Sequence, residues 1–134
     1  GAIEVTRLVA VHDIGRALNP PAAAGQVEGS VVQAMGFTLW EDLAKQEGKL
    51  CSASLADYHQ PTSLDLPEVE VVFVEGAFGP APYGGKCIGE VPVVPVAAAI
   101  ANALEDAVGI RMRDLPLTPE QVWLAIQKKE EAGK

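Results

Sequence analysis

The chain has 134 residues, of which 49% are hydrophobic and 21% are charged. This composition is typical of a single folded domain with its own core, and it argues against a disordered chain. The formal net charge of −8 argues against nucleic acids and anionic membrane surfaces as partners.

The cysteine and histidine pattern bears on metal binding and on redox compartment. Cys51 and Cys87 form no CxxC motif, and His12 and His59 are isolated in the sequence. We therefore expect no metal held by protein ligands, and a reduced, cytoplasmic chain. We also expect no secretory signal and no apolar run of the ~20 residues that span a bilayer.

The first half of the chain begins with a strand and a long helix. Residues 3–11 are rich in β-branched side chains and predict a strand. Asn19 is a favourable N-cap and Pro20 a favourable first helical residue, so a helix is predicted over residues 20–43. Its core face is expected to consist of Val27, Val31, Ala34, Met35, Leu39 and Leu43.

Glycine and glutamine follow two other stripes of this helix. Gly25, Gly29 and Gly36 fall within about 40° of one another at 100° per residue, and each costs ~1 kcal/mol of helix propensity relative to alanine. Gln26 and Gln33 share a neighbouring stripe. A bare stripe predicts close packing, either against another element of the fold or against a ligand.

Two more strands and a long loop are predicted next. Residues 50–59 alternate imperfectly and predict a strand that Pro61 stops, and residues 69–74 predict a second strand. Residues 76–89 are rich in glycine, and a loop of this length within a compact domain is usually functional or disordered.

The last third of the chain predicts two helices. Pro92 and Pro95 fit in or just before a first turn, and the helix is expected to run to about residue 108, where Gly109 stops it. Thr118 predicts the N-cap of a last helix ending near Gln127. Residues 128–134 predict a charged, frayed tail.

Glu90 closes the glycine-rich loop and lies where the next helix is predicted to begin. Glycines permit close approach to the backbone, and a helix N-terminus favours a negative charge. Glu90 is therefore either a general base beside a binding loop or an ordinary stabilising residue at a helix start. The loop alone does not separate these two interpretations.

Five ordered motifs carry a resemblance to a known family. These motifs are VHDIGRALNP (residues 11–20), GQVEGSVVQAMG (25–36), DYHQPT (57–62), GGKCIGE (84–90) and AAIANA (98–103). Through them the chain resembles the C-terminal part of the molybdenum-cofactor-binding large subunit of the molybdenum hydroxylases, the xanthine dehydrogenase and aldehyde oxidase group. The resemblance covers nearly all of residues 3–127.

The resemblance implies a fold and a set of site residues. The fold is α+β, with a small mixed sheet of three to four strands packed with three helices, in one subdomain over residues 1–127. Glu90 is implied to be the base of a hydroxylation that takes its oxygen from water, and Gln26 to hydrogen-bond the pyranopterin. The other implied cofactor contacts are Gly85, Lys86, Cys87, Gly89 and Gln33. The family has a small residue at the position of Cys87, whose thiol either packs harmlessly or crowds the metal.

The resemblance also implies partners, and it leaves two functions open. The remaining part of the cofactor subunit, iron–sulfur subunits and a flavin (FAD) subunit are expected on other chains. The chain is then a fragment or split subunit of an enzyme that hydroxylates an aldehyde or an N-heteroaromatic compound, itself inactive in isolation. The alternative is a non-catalytic orphan domain that keeps the fold and serves partner binding or assembly. A small-anion-binding module is a third, weaker interpretation, because Glu90 would repel the anion. Self-association of the isolated chain is expected.

Overall fold

The computed structural model describes residues 1–133. Their elements, in chain order, are β1 (Arg7–Asp13), α1 (Pro20–Leu39), β2 (Lys45–Gln46), β3 (Lys49–Leu50), α2 (Leu55–Tyr58), β4 (Glu68–Val74), α3 (Val96–Val108) and α4 (Pro119–Ala132). Two short 3-10 turns, Pro82–Gly84 and Val91–Val93, precede α3.

The strands form two small separate sheets. β1 and β4 pair in parallel, with Arg7 opposite Glu68 and Asp13 opposite Val74, while β2 and β3 form a short antiparallel hairpin. The predicted α+β class is confirmed. The prediction of one mixed sheet of three to four strands is wrong, because β2 and β3 pair only with each other around a turn at Glu47 and Gly48.

α1 begins where the sequence predicts and ends earlier. The side-chain oxygen of Asn19 accepts a hydrogen bond from the Ala22 amide at 3.2 Å, and Pro20 is the first helical residue. The amides of Trp40 and Glu41 both donate to the carbonyl of Gly36. This tight closure ends the helix at Leu39 rather than at residue 43.

The strand predicted over residues 50–59 is largely absent from the structure. Only Lys49–Leu50 is extended, and a single helical turn, Leu55–Tyr58, follows. The hydroxyl of Ser54 donates to Asp57 at 2.7 Å, and the left-handed His59 ends the turn. Short polar side chains that bond the local backbone and one another favour such turns over a strand.

The two C-terminal helices have the predicted caps and different bounds. α3 begins at Val96 and ends at the left-handed Gly109. The hydroxyl of Thr118 accepts from the Gln121 amide at 3.3 Å at the start of α4. α4 continues past residue 127 to Ala132, where Lys129 donates to the carbonyl of Val108 at 2.8 Å. Residues 128–132 of the predicted tail therefore belong to α4.

The core lies between α1, α3 and the inner face of the β1–β4 sheet. The predicted apolar face of α1 is buried, except for Leu43, which lies beyond the helix end and is exposed. Outside α1, the buried residues of the core are Ala10, Val96, Ile100, Leu104, Leu117 and Val122. Packing of α1 against α3 fixes the loop that precedes α3 relative to α1.

The 18-residue segment Val91–Val108 is long and apolar enough to cross a membrane, by length and composition only. Its 18 residues fall short of the ~20-residue run on which the expectation from the sequence was based. Val96, Ile100 and Leu104 nevertheless belong to the core. Only 22% of the segment is buried within the chain, so much of its apolar surface is exposed.

Candidate active site

The glycine-rich loop over residues 76–89 is anchored to the end of β1. The amide of Lys86 donates to the carbonyl of Ile14 at 2.8 Å, and the amide of Arg16 donates to the carbonyl of Gly84 at 3.1 Å. Gly15 and Gly85 form an isolated antiparallel bridge. At Gly15, φ is +61° and an added Cβ would overlap the carbonyl of Gly84, so this crossing requires glycine.

Asp13 links the end of β1 to the loop through an ion pair with Lys86. Its carboxylate accepts from Lys86 Nζ at 2.6 Å and from the amide of Gly15 at 2.9 Å. The hydrogen bond from Lys86 holds the pKa of Asp13 below its ordinary value, and the Gly15 amide adds to this effect. Sequence analysis did not identify Asp13 as a site residue, although a carboxylate at a strand end, two positions before a glycine, was a visible signal.

Two of the predicted cofactor contacts lie in this anchor. Gly85 is buried against Gly15, and the ammonium of Lys86 is engaged by Asp13. Both residues hold the loop against the end of β1, through contacts with Asp13 and Gly15.

The other end of the loop reaches α1 through Ser30. The hydroxyl of Ser30, which is only 6% exposed, donates to the carbonyl of Gly89 at 3.3 Å. Gln26 lies four residues before Ser30 and Gln33 three residues after it, so all three occupy one side of α1. Both glutamines are exposed. The Ser30 contact therefore brings Gly89 and Glu90 to the stripe of α1 that carries the two predicted glutamines.

Gly25 and Gly29 leave open space beside this stripe. A Cβ added to either would meet no atom within 4 Å. Gly36 differs, because its Cβ would overlap the carboxylate of Glu41 and lie 3.0 Å from Cδ of Pro61. The predicted glycine stripe is therefore divided: Gly36 packs within the fold, and the other two present bare backbone to the outside.

Glu90 is exposed and precedes the 3-10 turn Val91–Val93. Its carbonyl accepts from the amide of Val93 at 3.1 Å. The expectation that Glu90 begins a long helix is wrong, because α3 starts only at Val96. A three-residue turn has little aligned dipole, and the Glu90 side chain makes no capping hydrogen bond to it.

Cys87 is an exposed free thiol. Its Sγ lies 4.0 Å from where a Cβ on Gly89 would stand, which is ordinary contact distance. The thiol therefore borders the Gly89 backbone without crowding it.

The residues of this surface fit an organic cofactor rich in hydrogen-bonding groups. The Gln26 and Gln33 amides can each donate and accept, and the bare backbone at Gly25 and Gly29 admits close approach. Glu90 stands at the edge of the same surface and can hold a proton. The arrangement can bind a polar heterocycle along α1 and place a carboxylate at one end of it.

Comparison with known proteins decides the family. The model of the molybdopterin cofactor-binding domain matches residues 1–67. The chain belongs to this family. The match ends before Glu90, so it does not include the loop at residues 84–90. Individual relatives match over a larger share of the chain.

Molybdenum-binding subunits of oxidoreductases are similar over most of this chain. The xanthine dehydrogenase molybdenum-binding subunit of Escherichia coli O157:H7 is 41% identical over 123 residues, 90% of this chain and 16% of that subunit. The aldehyde oxidoreductase molybdenum-binding subunit PaoC of E. coli K12 is 38% identical over 91% of this chain and 17% of its own length. The chain thus corresponds to about a sixth of these relatives.

Solved structures share the fold. Quinoline 2-oxidoreductase from Pseudomonas putida 86 superposes with a TM-score of 0.87 at 33% identity, over 95% of this chain and 17% of that one. The aldehyde oxidoreductase of Desulfovibrio desulfuricans gives 0.82 at 33% identity, over 91% and 13%. The resemblance noted from the sequence motifs is confirmed at the level of family and fold.

Proposed function

We propose that this chain supplies the base and part of the cofactor-binding surface of a molybdenum hydroxylase. The reaction is hydroxylation of an aldehyde or an N-heteroaromatic compound with water as oxygen source. The observation that carries the proposal is the Ser30–Gly89 hydrogen bond at 3.3 Å. It joins the Glu90 loop to the stripe of α1 that bears Gln26, in a chain of the molybdopterin-binding family.

Each residue of the surface has a role that its chemistry allows. When bound, the molybdenum–pyranopterin supplies oxygen transfer and two-electron redox chemistry. The amides of Gln26 and Gln33 would hydrogen-bond the pterin, and the backbone beside Cys87 and Gly89 would border the cofactor. A carboxylate oxygen of Glu90 accepts the proton that substrate oxidation releases.

Gly85 and Lys86 receive a supporting role in this proposal. Because Lys86 is bound to Asp13 and Gly85 to Gly15, they hold the loop in the shape that presents Gly89 and Glu90. They would therefore act on the cofactor indirectly, by positioning the loop backbone.

We propose further chains as partners of the working enzyme. Two relatives are themselves named as parts of larger enzymes. One is the gamma subunit of the 6-hydroxypseudooxynicotine dehydrogenase complex of Paenarthrobacter nicotinovorans, and the other is a subunit of the nicotinate dehydrogenase of Pseudomonas putida. By analogy, the rest of a molybdenum-binding subunit and iron–sulfur and FAD subunits would complete the enzyme in the cytoplasm.

The test is Glu90→Gln in the assembled, molybdenum-loaded enzyme. Loss of a general base typically costs ~10²–10⁴-fold in rate, so turnover should fall by that order. Molybdenum content, measured by elemental analysis, should stay unchanged because the amide has the same shape. Glu75→Gln, at an exposed glutamate after β4, is the matched control and should retain full activity.

Two outcomes would contradict this assignment in different ways. Near-normal turnover in Glu90→Gln would remove Glu90 as the base. An assembled complex that contains this chain but never molybdenum would instead favour the orphan domain, which keeps the fold for assembly alone.

A further inference from the structure

An apolar groove runs along the edge of β1 that faces away from β4. Within residues 1–133, β1 pairs with β4 alone. A cavity of about 250 Å³ lies between residues 8–12 and the wall formed by Pro92, Pro95, Val96 and Ala99. A second cavity, of about 580 Å³, continues between residues 2–9 and α3. We call these two cavities together the edge groove.

The pattern of lining residues shows that the groove follows the strand backbone. Successive side chains of a strand point to opposite faces. A groove on one face would therefore touch every second strand residue, whereas this one is lined by every residue of β1 from Arg7 to His12. The free N–H and C=O groups of β1 consequently face an apolar space.

The opposite wall is built from small residues. Ala99, Ala103 and Ala107 are spaced four apart along α3, line the groove and are exposed. Because their side chains are short, backbone can approach α3 closely. The groove thus has the hydrogen-bonding edge and the clearance that an additional strand requires.

We propose that the edge groove receives an extended apolar β-strand from the remaining part of the molybdenum-binding subunit. This inference rests on the proposed function, and it names one surface through which that subunit would be completed. A two-stranded sheet is marginal alone, and parallel sheets occur almost only with both faces covered. Relatives hold about five-sixths of their length outside the portion that matches this chain, which is ample for such a strand.

A second copy of this chain fits the groove less well. Antiparallel pairing of two β1 edges about a two-fold axis would place both copies of α3 on the same face of the joined sheet. Each α3 already forms one wall of its own groove, so the two helices would compete for the space above the central strands. A strand that carries no such helix meets no obstacle.

The test uses the E. coli O157:H7 xanthine dehydrogenase molybdenum-binding subunit, deleted for the segment that matches this chain and shown to rebind its own excised segment. We expect this chain to bind the truncated subunit and the amides of residues 8–12 to exchange more slowly in the complex. Ala103→Glu should weaken binding by at least about tenfold, because it places an unpaired carboxylate in the groove. Ala98→Glu, at an exposed alanine of α3 outside the groove, should bind as wild type.

Every other outcome overturns the proposal. These are a complex in which residues 8–12 exchange as in the free chain, equal binding by the two glutamate variants, or no binding to a truncated subunit that rebinds its own segment. Protection of β1 by self-association alone would assign the groove to a second copy. None of these results concerns turnover, so the role of Glu90 would stand or fall separately.

Discussion

At the scale of single residues, Asp13 anchors the glycine-rich loop over residues 76–89. Its carboxylate binds both Lys86 and the Gly15 amide, and its folded-state pKa lies below the usual value of 3.8. A lowered pKa means that the stabilisation is complete above the unfolded-state pKa and is lost as pH falls through the folded-state value. Asp13→Asn should therefore destabilise the chain at neutral pH, and the difference from wild type should shrink on acidification.

Denaturant unfolding of wild type and Asp13→Asn, from neutral pH down to below the folded-state pKa of Asp13, measures the difference in their free energies of unfolding. Asp106→Asn, at an exposed aspartate of α3, serves as the control and should track wild type at every pH. A difference between Asp13→Asn and wild type that stays constant with pH would show that the Asp13 charge does not hold the loop.

The contacts of Asp13 also show why sequence analysis proposed some candidate site residues and missed others. Gln26 and Glu90 could be proposed because helical spacing and motif resemblance are visible in the sequence. The Lys86–Asp13 pair joins residues 73 positions apart, and no local pattern encodes that pairing. The role of Lys86 was therefore predicted as a cofactor contact, whereas the structure places its ammonium on Asp13.

At the scale of elements, substitutions at the glycines of α1 can distinguish an effect on stability from an effect on cofactor binding. Gly29 faces open space, so Gly29→Ala should raise the stability of the isolated chain by ~0.5–1 kcal/mol. If the pterin packs along this stripe, the same methyl group should lower the molybdenum content of the assembled enzyme. Denaturant unfolding and elemental analysis measure the two effects.

Gly36→Ala provides the comparison within the same helix. Its Cβ would displace Glu41, which accepts a hydrogen bond from the Tyr58 hydroxyl at 2.7 Å. Overpacking of this kind costs ~1–3 kcal/mol, so this variant should be less stable than wild type. A Gly29→Ala enzyme with a full complement of molybdenum would show that the bare backbone of α1 does not contact the cofactor.

The elements themselves were predictable where local signals agree. β4, the N-cap of α1 and the stop of α3 at Gly109 follow from alternation, capping and a left-handed glycine. Residues 50–59 were misassigned because local side-chain hydrogen bonding outweighed weak alternation. The strand pairing was not predictable, since the sheet that contains β1 depends on which distant segments reach its edges.

At the scale of the whole molecule, the outer face of the β1–β4 sheet is uncovered in the described chain. Val11, Val72 and Val74 on this face are 58%, 37% and 46% exposed, and Val11 lies opposite Val72 across the pair. Apolar patches of this kind promote association. The isolated chain should therefore self-associate reversibly with rising concentration, in spite of the repulsion from a net charge of −8.

Val72→Lys tests whether this face is responsible, and sedimentation equilibrium measures it. The substitution adds a positive charge to a negative protein and so lowers the overall repulsion between copies. Weaker association would then be attributable to the loss of apolar surface. Leu64→Lys changes the charge equally at a loop residue that is 94% exposed and should leave association unchanged or slightly stronger. If both variants associate alike, the copies meet through another surface, and the uncovered sheet face is not what drives them together.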